Sequence, residues 1–247
     1  MPKDFSLQFC SRSHTGKVKR NNEDYLRIHQ NGFLAAIADG MGGTDFGEVA
    51  SQIAVDASIE YLANTTSTKL LEKPAGELGN AVKYANEAII AIQRNEEKYR
   101  TMGSTLTCFL MINNQLHFSW VGDSRIYIVR PENTSIQMLT KDHTLDRNKI
   151  DATLAPDLYR RAPSILTQKV GSILLIQPDT GCFELKAGDI IVACTDGLSD
   201  RIDDQLLLEY GLKFAGNLEG YADKLLDRAL DCGGQDNISL ILAQVMS

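Results

Sequence analysis

Hydrophobic and polar positions alternate with a period of two over Phe5 to Ser11, Tyr25 to Gln30 and Phe33 to Ala38, which predicts strands in all three stretches. Asn31-Gly32 separates the last two, a pair that accepts the left-handed backbone of a tight turn, so the chain is expected to open as a β-hairpin. The rhythm then changes. From Glu48 to about Ala63, and from about Ala75 to Lys98, apolar residues recur three and four apart, as in Ala81, Ala85, Ala88, Ile89 and Ile92. That spacing predicts two long helices.

Strand patterning returns from Ser104 to about Leu139, where TLTCFLMI, the turn Asn113-Asn114, QLHFSWVG and Arg125 to Arg130 read as an antiparallel meander. The polar stretch from Lys141 to Pro163, with Pro156 and Pro163, is expected to leave the sheet and to border a site. Further strands are predicted at Leu174 to Phe183, Asp189 to Thr195 and Asn237 to Val245, and helices at Asp203 to Phe214 and Leu218 to Ala229. Strands and helices fall in separate blocks, which favours an α+β domain of antiparallel sheets over a doubly wound parallel one. With no internal repeat and no linker, residues 1–247 are expected to form a single domain.

Composition narrows the function classes. The 43% hydrophobic and 23% charged residues are those of a globular protein. No apolar run approaches the roughly 20 residues that span a bilayer, and the N-terminal MPKDFSLQFCSRSH has no long apolar stretch for export. A cytoplasmic location without membrane contact is the expectation. The net charge of −7, from 32 acids against 25 bases with no Lys/Arg block, argues against a nucleic-acid partner. Five cysteines, at 10, 108, 182, 194 and 232, include no close pair, so neither a disulfide framework nor a Cys-rich zinc site fits.

The acids matter more by position than by number. Asn22-Glu23-Asp24, Ala38-Asp39-Gly40, Gly122-Asp123-Ser124, Thr195-Asp196-Gly197 and Gln235-Asp236-Asn237 each set an acid beside a turn at the edge of a predicted strand. Any one of these is more often a turn than a ligand. Their recurrence in separated segments points instead to convergence. Converging carboxylates repel one another and need cations, and an all-oxygen donor set suits Mg²⁺ or Mn²⁺. Two such ions about 4 Å apart activate water and polarise a phosphoryl oxygen, which makes a phosphate ester the expected substrate. Other hydrolytic chemistries are absent by inspection: no Cys has an Arg six positions later, and there is no Walker A string, no H-E-x-x-H and no G-x-S-x-G.

Taken together, Gly16-Lys17-Val18-Lys19-Arg20-Asn21-Asn22-Glu23-Asp24, Ala38-Asp39-Gly40-Met41-Gly42-Gly43, Gly103-Ser104-Thr105, Gly122-Asp123-Ser124-Arg125, Thr195-Asp196-Gly197-Leu198-Ser199-Asp200 and Asp236-Asn237-Ile238-Ser239 resemble the bacterial type of the metal-dependent protein Ser/Thr phosphatases, the PPM or PP2C family. The strings stand in family order, and the resemblance covers nearly the whole chain, from about residue 8 to residue 245. The resemblance implies an α-β-β-α sandwich of two packed antiparallel sheets flanked by helices. It also implies hydrolysis of phosphoserine and phosphothreonine by direct attack of metal-activated water, with two Mn²⁺ or Mg²⁺ ions and a third in some members. Carried onto this chain, Asp39 would bridge two ions, Glu23 and the Gly40 carbonyl would serve one, Asp196 and Asp236 the other, and Asp24 would act through water. Asp123, with Asp196, would hold the third.

Two positions depart from the family pattern. Lys19 stands where the family has a phosphate-gripping Arg, a point charge in place of a planar fork. The adjacent Arg20 would replace it only if the backbone there is irregular, since on a regular strand it points to the other face. Met41 stands where many members carry a His suggested as general acid, and Met has no proton to donate. Lys141-Asp142-His143-Thr144 resembles the start of the family's flap, here about 141–163. The resemblance implies a monomer acting on a phosphorylated protein, opposed by a Ser/Thr protein kinase. The alternative that Lys19 keeps open is a catalytically weak phosphatase-like domain that binds phosphoproteins.

Overall fold

The period-two stretches assemble into two antiparallel sheets, described in a computed structural model over residues 5–41 and 46–246. Gly42 and Gly43 of the first aspartate motif lie outside the described residues. In chain order the strands are β1 Ser6–His14, β2 Asp24–Ile28, β3 Leu34–Met41, β4 Gly103–Ser104, β5 Leu106–Ile112, β6 Gln115–Val121, β7 Arg125–Arg130, β8 Ser135–Met138, β9 Asp179–Glu184, β10 Ile190–Cys194 and β11 Ile238–Met246. The helices are α1 Gly47–Asn64, α2 Ser67–Glu72, α3 Pro74–Asn95, α4 Pro156–Arg161, α5 Asp196–Ser199, α6 Asp204–Lys213 and α7 Leu218–Asp231. One sheet has the order β1-β11-β10-β7-β8, the other β2-β3-β5-β6-β9 with β4 on the end of β3.

Side-chain parity divides the core into three layers, because successive residues of a strand face opposite sides of its sheet. Ala36 and Ala38 of β3, with Leu106 and Cys108 of β5, meet Ala54 and Val55 of α1 and Ala81 and Ala85 of α3. Val192 and Cys194 of β10, with Leu240 and Leu242 of β11, meet Leu207 of α6 and Tyr221 and Leu225 of α7. Between the sheets pack Ala35 and Ile37 of β3, Phe109 of β5, Phe118 and Trp120 of β6, Ile191 of β10 and Ile241 of β11. The layers run helix, sheet, sheet, helix, as expected. Each buried Ile or Leu contributes about 1.5–3 kcal/mol relative to exposure.

Three local expectations are corrected. The strand expected from Leu174 begins only at Asp179, and Ile173, Leu174 and Leu175 stand 83%, 76% and 86% exposed. Their apolar run has no period, so it does not separate a strand from a strap; here the backbone at 171–172 is tied to α3 by Asn86 and Gln93. The helix expected to reach Lys98 stops at Asn95, and a short 3₁₀ turn follows over Glu97–Tyr99. The connection at Asn31-Gly32 is longer than a two-residue hairpin, since β2 ends at Ile28 and β3 starts at Leu34. Gly32 supplies its left-handed position at φ 70°.

Candidate metal centre

Antiparallel pairing sets the start of one strand beside the end of the next. The starts of β2 and β11 and the ends of β3, β6 and β10 therefore share one rim, and these are the places where the acids stand. Parity then aims them inward: Asp24 and Asp39 are direct register partners, both on the inter-sheet faces of their strands. Like charges placed opposite each other destabilise a sheet, so this pair demands compensation.

A pocket of about 480 Å³ opens at that rim, lined by Lys19, Glu23, Asp39, Gly40, Met41, Asp123, Asp196 and Asp236, and on its far side by Ser164, Leu166 and Lys169. Asp24 lies beneath it, only 7% exposed. The segment 15–23 is irregular, not a strand, and it is Lys19 rather than Arg20 that reaches the pocket. The excursion after β8 meets the pocket through residues 164–169, just beyond the expected span of 141–163.

Buried hydroxyls fix the carboxylates. The Asp39 amide donates to Thr105 Oγ1 at 2.8 Å, and the Asp39 carbonyl accepts from Ser104 Oγ at 2.8 Å and from the Thr105 amide at 2.9 Å. Thr195 Oγ1 donates to Asp24 Oδ2 at 2.9 Å while accepting from the Ser239 amide at 3.1 Å. Asn237 clasps the loop 15–23 at three points: its Oδ1 accepts from the Glu23 amide at 2.8 Å, and its Nδ2 donates to the carbonyls of Thr15 and Asn21 at 2.9 and 2.8 Å. None of Ser104, Thr105, Thr195 or Asn237 has an assigned role in the sequence reading, although each sits inside a motif string; their small polar side chains next to the acids were the available signal.

The loop that carries Asp123 is held from the excursion. Gly122, at φ 100°, donates its amide to His143 Nδ1 at 3.2 Å, and the His143 amide returns to the Gly122 carbonyl at 3.0 Å. The ring stacks on Trp120, and its Nε2 faces Asp179 Oδ2 at 3.2 Å, so the tautomer has its proton on Nε2. Arg125 grips Asp142 through two hydrogen bonds of 2.9 and 2.7 Å. His143 is thus a positioning residue, and the His-containing string identified its place but not its task.

Crowding shows in the proton affinities. Burial, reinforced by the charges of Asp196 and Asp236 and only partly offset by the Ser239 and Thr195 hydroxyls, pushes Asp24 up to about 7. Burial, with Asp196 and Asp142 nearby, also brings Asp123 up to about 7. Asp39 is raised well above the carboxylate range by burial and by the charges of Asp24 and Asp196, and Asp196 is raised by burial and by the charge of Asp236. Lys19 Nζ sits 2.7 Å from Asp236 Oδ1; burial opposes its charge, but Asp236, Asp39 and Glu23 together raise its pKa.

Three buried carboxylate oxygens, Asp24 Oδ1, Asp196 Oδ1 and Glu48 Oε2, have no hydrogen-bond partner among the described residues. No three His, Cys, Asp or Glu side chains among the described residues stand as a finished coordination shell. The donors instead line the pocket walls, acid-rich and oxygen-only, and this set fits hard divalent cations.

A pH dependence follows. Asp24 and Asp123 hold protons in the folded chain up to about pH 7, whereas in the unfolded chain they release them near the ordinary value of about 4. Across that window the folded state binds more protons, so its stability falls as pH rises. In chelator, the Tm is expected to drop between pH 5.5 and 8, and Mn²⁺ should reverse the drop at pH 8. A chelated protein that becomes more stable from pH 5.5 to 8 contradicts this electrostatic picture.

A four-layer sandwich with a carboxylate-lined pocket at one rim defines the class of scaffold, one whose oxygen-only donor set suits hard divalent cations. The sequence profile of protein phosphatase 2C matches residues 11–231, and the chain belongs to that family. It is 34% identical over 242 residues to the serine/threonine protein phosphatase PstP of Mycobacterium tuberculosis, covering 97% of this chain but 45% of that protein. The chain thus spans about half the length of that relative. Protein phosphatase PhpP of Streptococcus pneumoniae is 30% identical over 246 residues, covering 97% of this chain and 98% of PhpP. Among solved structures, the PstP catalytic domain in complex with two manganese ions superimposes with a TM-score of 0.81 at 32% identity, over 98% of this chain and all of that one.

Proposed function

We propose that this chain is a metal-dependent protein Ser/Thr phosphatase that hydrolyses phosphoserine and phosphothreonine. One observation carries the reading: acids from five separate motif strings meet a lysine in a single pocket, with a partnerless buried oxygen on Asp196 at its wall and another on Asp24 beneath it. Asp39, Glu23 and the Gly40 carbonyl would hold one cation, Asp39 with Asp196 and Asp236 a second, Asp24 would act through water, and Asp123 with Asp196 would hold a third. When bound, such ions lower the pKa of water and polarise the phosphoryl oxygen. The manganese ions of the PstP domain support this assignment.

The chain's own residues do the rest. Gly40 brings its backbone close: a Cβ there would overlap the Gly47 carbonyl and stand 2.6 Å from the Glu23 carbonyl oxygen. Lys19 is paired with Asp236, and with a cation on that carboxylate its ammonium would be available to the substrate phosphate. Met41 lines the pocket without a proton to give, so the proton for the leaving alkoxide would come from a water at the cation site and not from residue 41. A phosphorylated protein as substrate implies a Ser/Thr kinase as the opposing activity.

The test is hydrolysis of a phosphothreonine peptide against Mn²⁺ concentration. Saturable Mn²⁺-dependent turnover is expected, and Lys19→Ala should raise KM about tenfold, or about 1.4 kcal/mol, with a smaller change in kcat. Peptide binding with no metal-dependent turnover would instead make the chain a phosphoprotein-binding domain.

A further inference from the structure

Beside the metal pocket lies a groove of about 830 Å³ between the last turns of α3 and the strap 169–174. The two cavities share Lys169, which lines both. The stem of Lys169 passes over Gly103, where a Cβ would stand 3.1 Å from its Cδ and Cε. Its backbone neighbour is locked in place, since Val170 and Ser104 exchange hydrogen bonds of 2.9 and 3.1 Å.

The groove is rigid and open at once. Asn86 Oδ1 accepts from the amides of Gly171 and Ser172 at 2.8 and 3.0 Å, and Gln93 Nε2 donates to the carbonyls of Met102 and Gly171 at 2.7 and 2.9 Å. These clamps pin the strap against α3, yet just past them Ile173 and Leu174 turn outward. A solvent-facing pair of large apolar side chains on a clamped backbone marks an interaction surface rather than a core that failed to close.

Its charge is opposite to that of the molecule. In a chain of net charge −7, the groove wall carries Arg94, Arg100 and Lys169 against a single acid, Glu97. Glu97 is already paired with Arg100 at 3.0 Å. Arg94 and Lys169 make no hydrogen bond or ion pair among the described residues, and burial lowers the pKa of Lys169. Two uncompensated cations and an apolar ridge lead directly into the pocket where the phosphate would sit.

We propose that this groove binds the segment of the phosphoprotein substrate that flanks the phosphoresidue, and that it selects acidic and apolar side chains there. The proposal deepens the phosphatase reading and rests on it. A partly acidic flank meets the cations, apolar residues lie on Ile173 and Leu174, and Lys169 marks the junction between groove and metal pocket.

The experiment compares phosphothreonine peptides carrying Glu or Lys at each of the four positions on either side, with p-nitrophenyl phosphate as a substrate too small to reach the groove. Glu is expected to be preferred over Lys on one side of the phosphothreonine. In Arg94→Glu, the kcat/KM for the acidic peptide divided by that for p-nitrophenyl phosphate should fall about five- to tenfold, mostly through KM. Ile173→Ser with Leu174→Ser should lower the same ratio for an apolar flank. Ratios unchanged within about twofold in both variants, or a preference for Lys on both flanks, overturn the groove while leaving the phosphatase intact. No Mn²⁺-dependent turnover of p-nitrophenyl phosphate by the parent chain overturns the phosphatase reading and the groove with it.

Discussion

Asp39→Asn is expected to lower kcat/KM by about 10³-fold, on the order of 4 kcal/mol of transition-state stabilisation, while leaving the fold intact. Asp39 is the acid shared by both proposed cation sites, and no neighbour replaces it: its backbone is tied to Ser104 and Thr105, and its carboxyl leans on Asp196. An amide keeps the shape and a hydrogen-bond donor toward Asp196 but cannot carry the charge that binds a divalent ion. The same change removes one member of a repelling cluster. In chelator at pH 8, the Asn variant should therefore melt no lower than the parent, whereas the Mn²⁺-induced rise in Tm should shrink sharply. Near-parental turnover, or an equal Mn²⁺ shift, removes Asp39 from the centre.

Gly197→Ala should be among the most damaging small changes at the described residues. Gly197 is buried in the first turn of α5, directly after Asp196, and a Cβ there would overlap the Asn237 carbonyl oxygen and come within 3.5 Å of the Asp236 Cβ. The colliding group is backbone, and Asn237 is itself clasped to Thr15, Asn21 and Glu23. Relief requires moving the Asp196 turn away from the Asp236 loop. A loss of about 3 kcal/mol follows from overpacking of this kind, or about 6–12 °C in Tm for a domain of this size. Metal affinity should fall with it, since two ligand-bearing loops separate. Gly76→Ala is the contrast: an exposed helical position where the nearest atom is 3.8 Å away, expected to leave activity untouched and to stabilise by about 0.5–1 kcal/mol. Equal melting temperatures for the two variants refute the close-approach argument.

Much of the site was legible because its signals are local. An acid next to a glycine or a turn residue, after a strand with period two, is visible in a few residues, and Asp39, Asp123, Asp196 and Asp236 all line the pocket. Lys19 was legible only by resemblance, and the irregular backbone at 15–23 removed the strand parity on which its choice over Arg20 had been argued. Lys169 was not legible at all. Its relation to the pocket passes through the pairing of Gly103 and Ser104 with Met41 and Gly40 on one side and of Ser104 with Val170 on the other.

The sequence alone determined the building materials: which stretches are strands and helices, which faces they bury, and which side chains are fit to bind a hard cation. These follow from residue type and from periods of two and 3.6, which span a handful of neighbours. The tertiary structure alone decided that Asp24 faces Asp39, that one asparagine ties the loop 15–23 to the start of β11, and that an apolar run becomes an exposed strap instead of a strand. Register and loop placement are set by contacts between residues far apart in the chain, and a one-residue slip, invisible in any local pattern, would turn every one of those side chains to the other face.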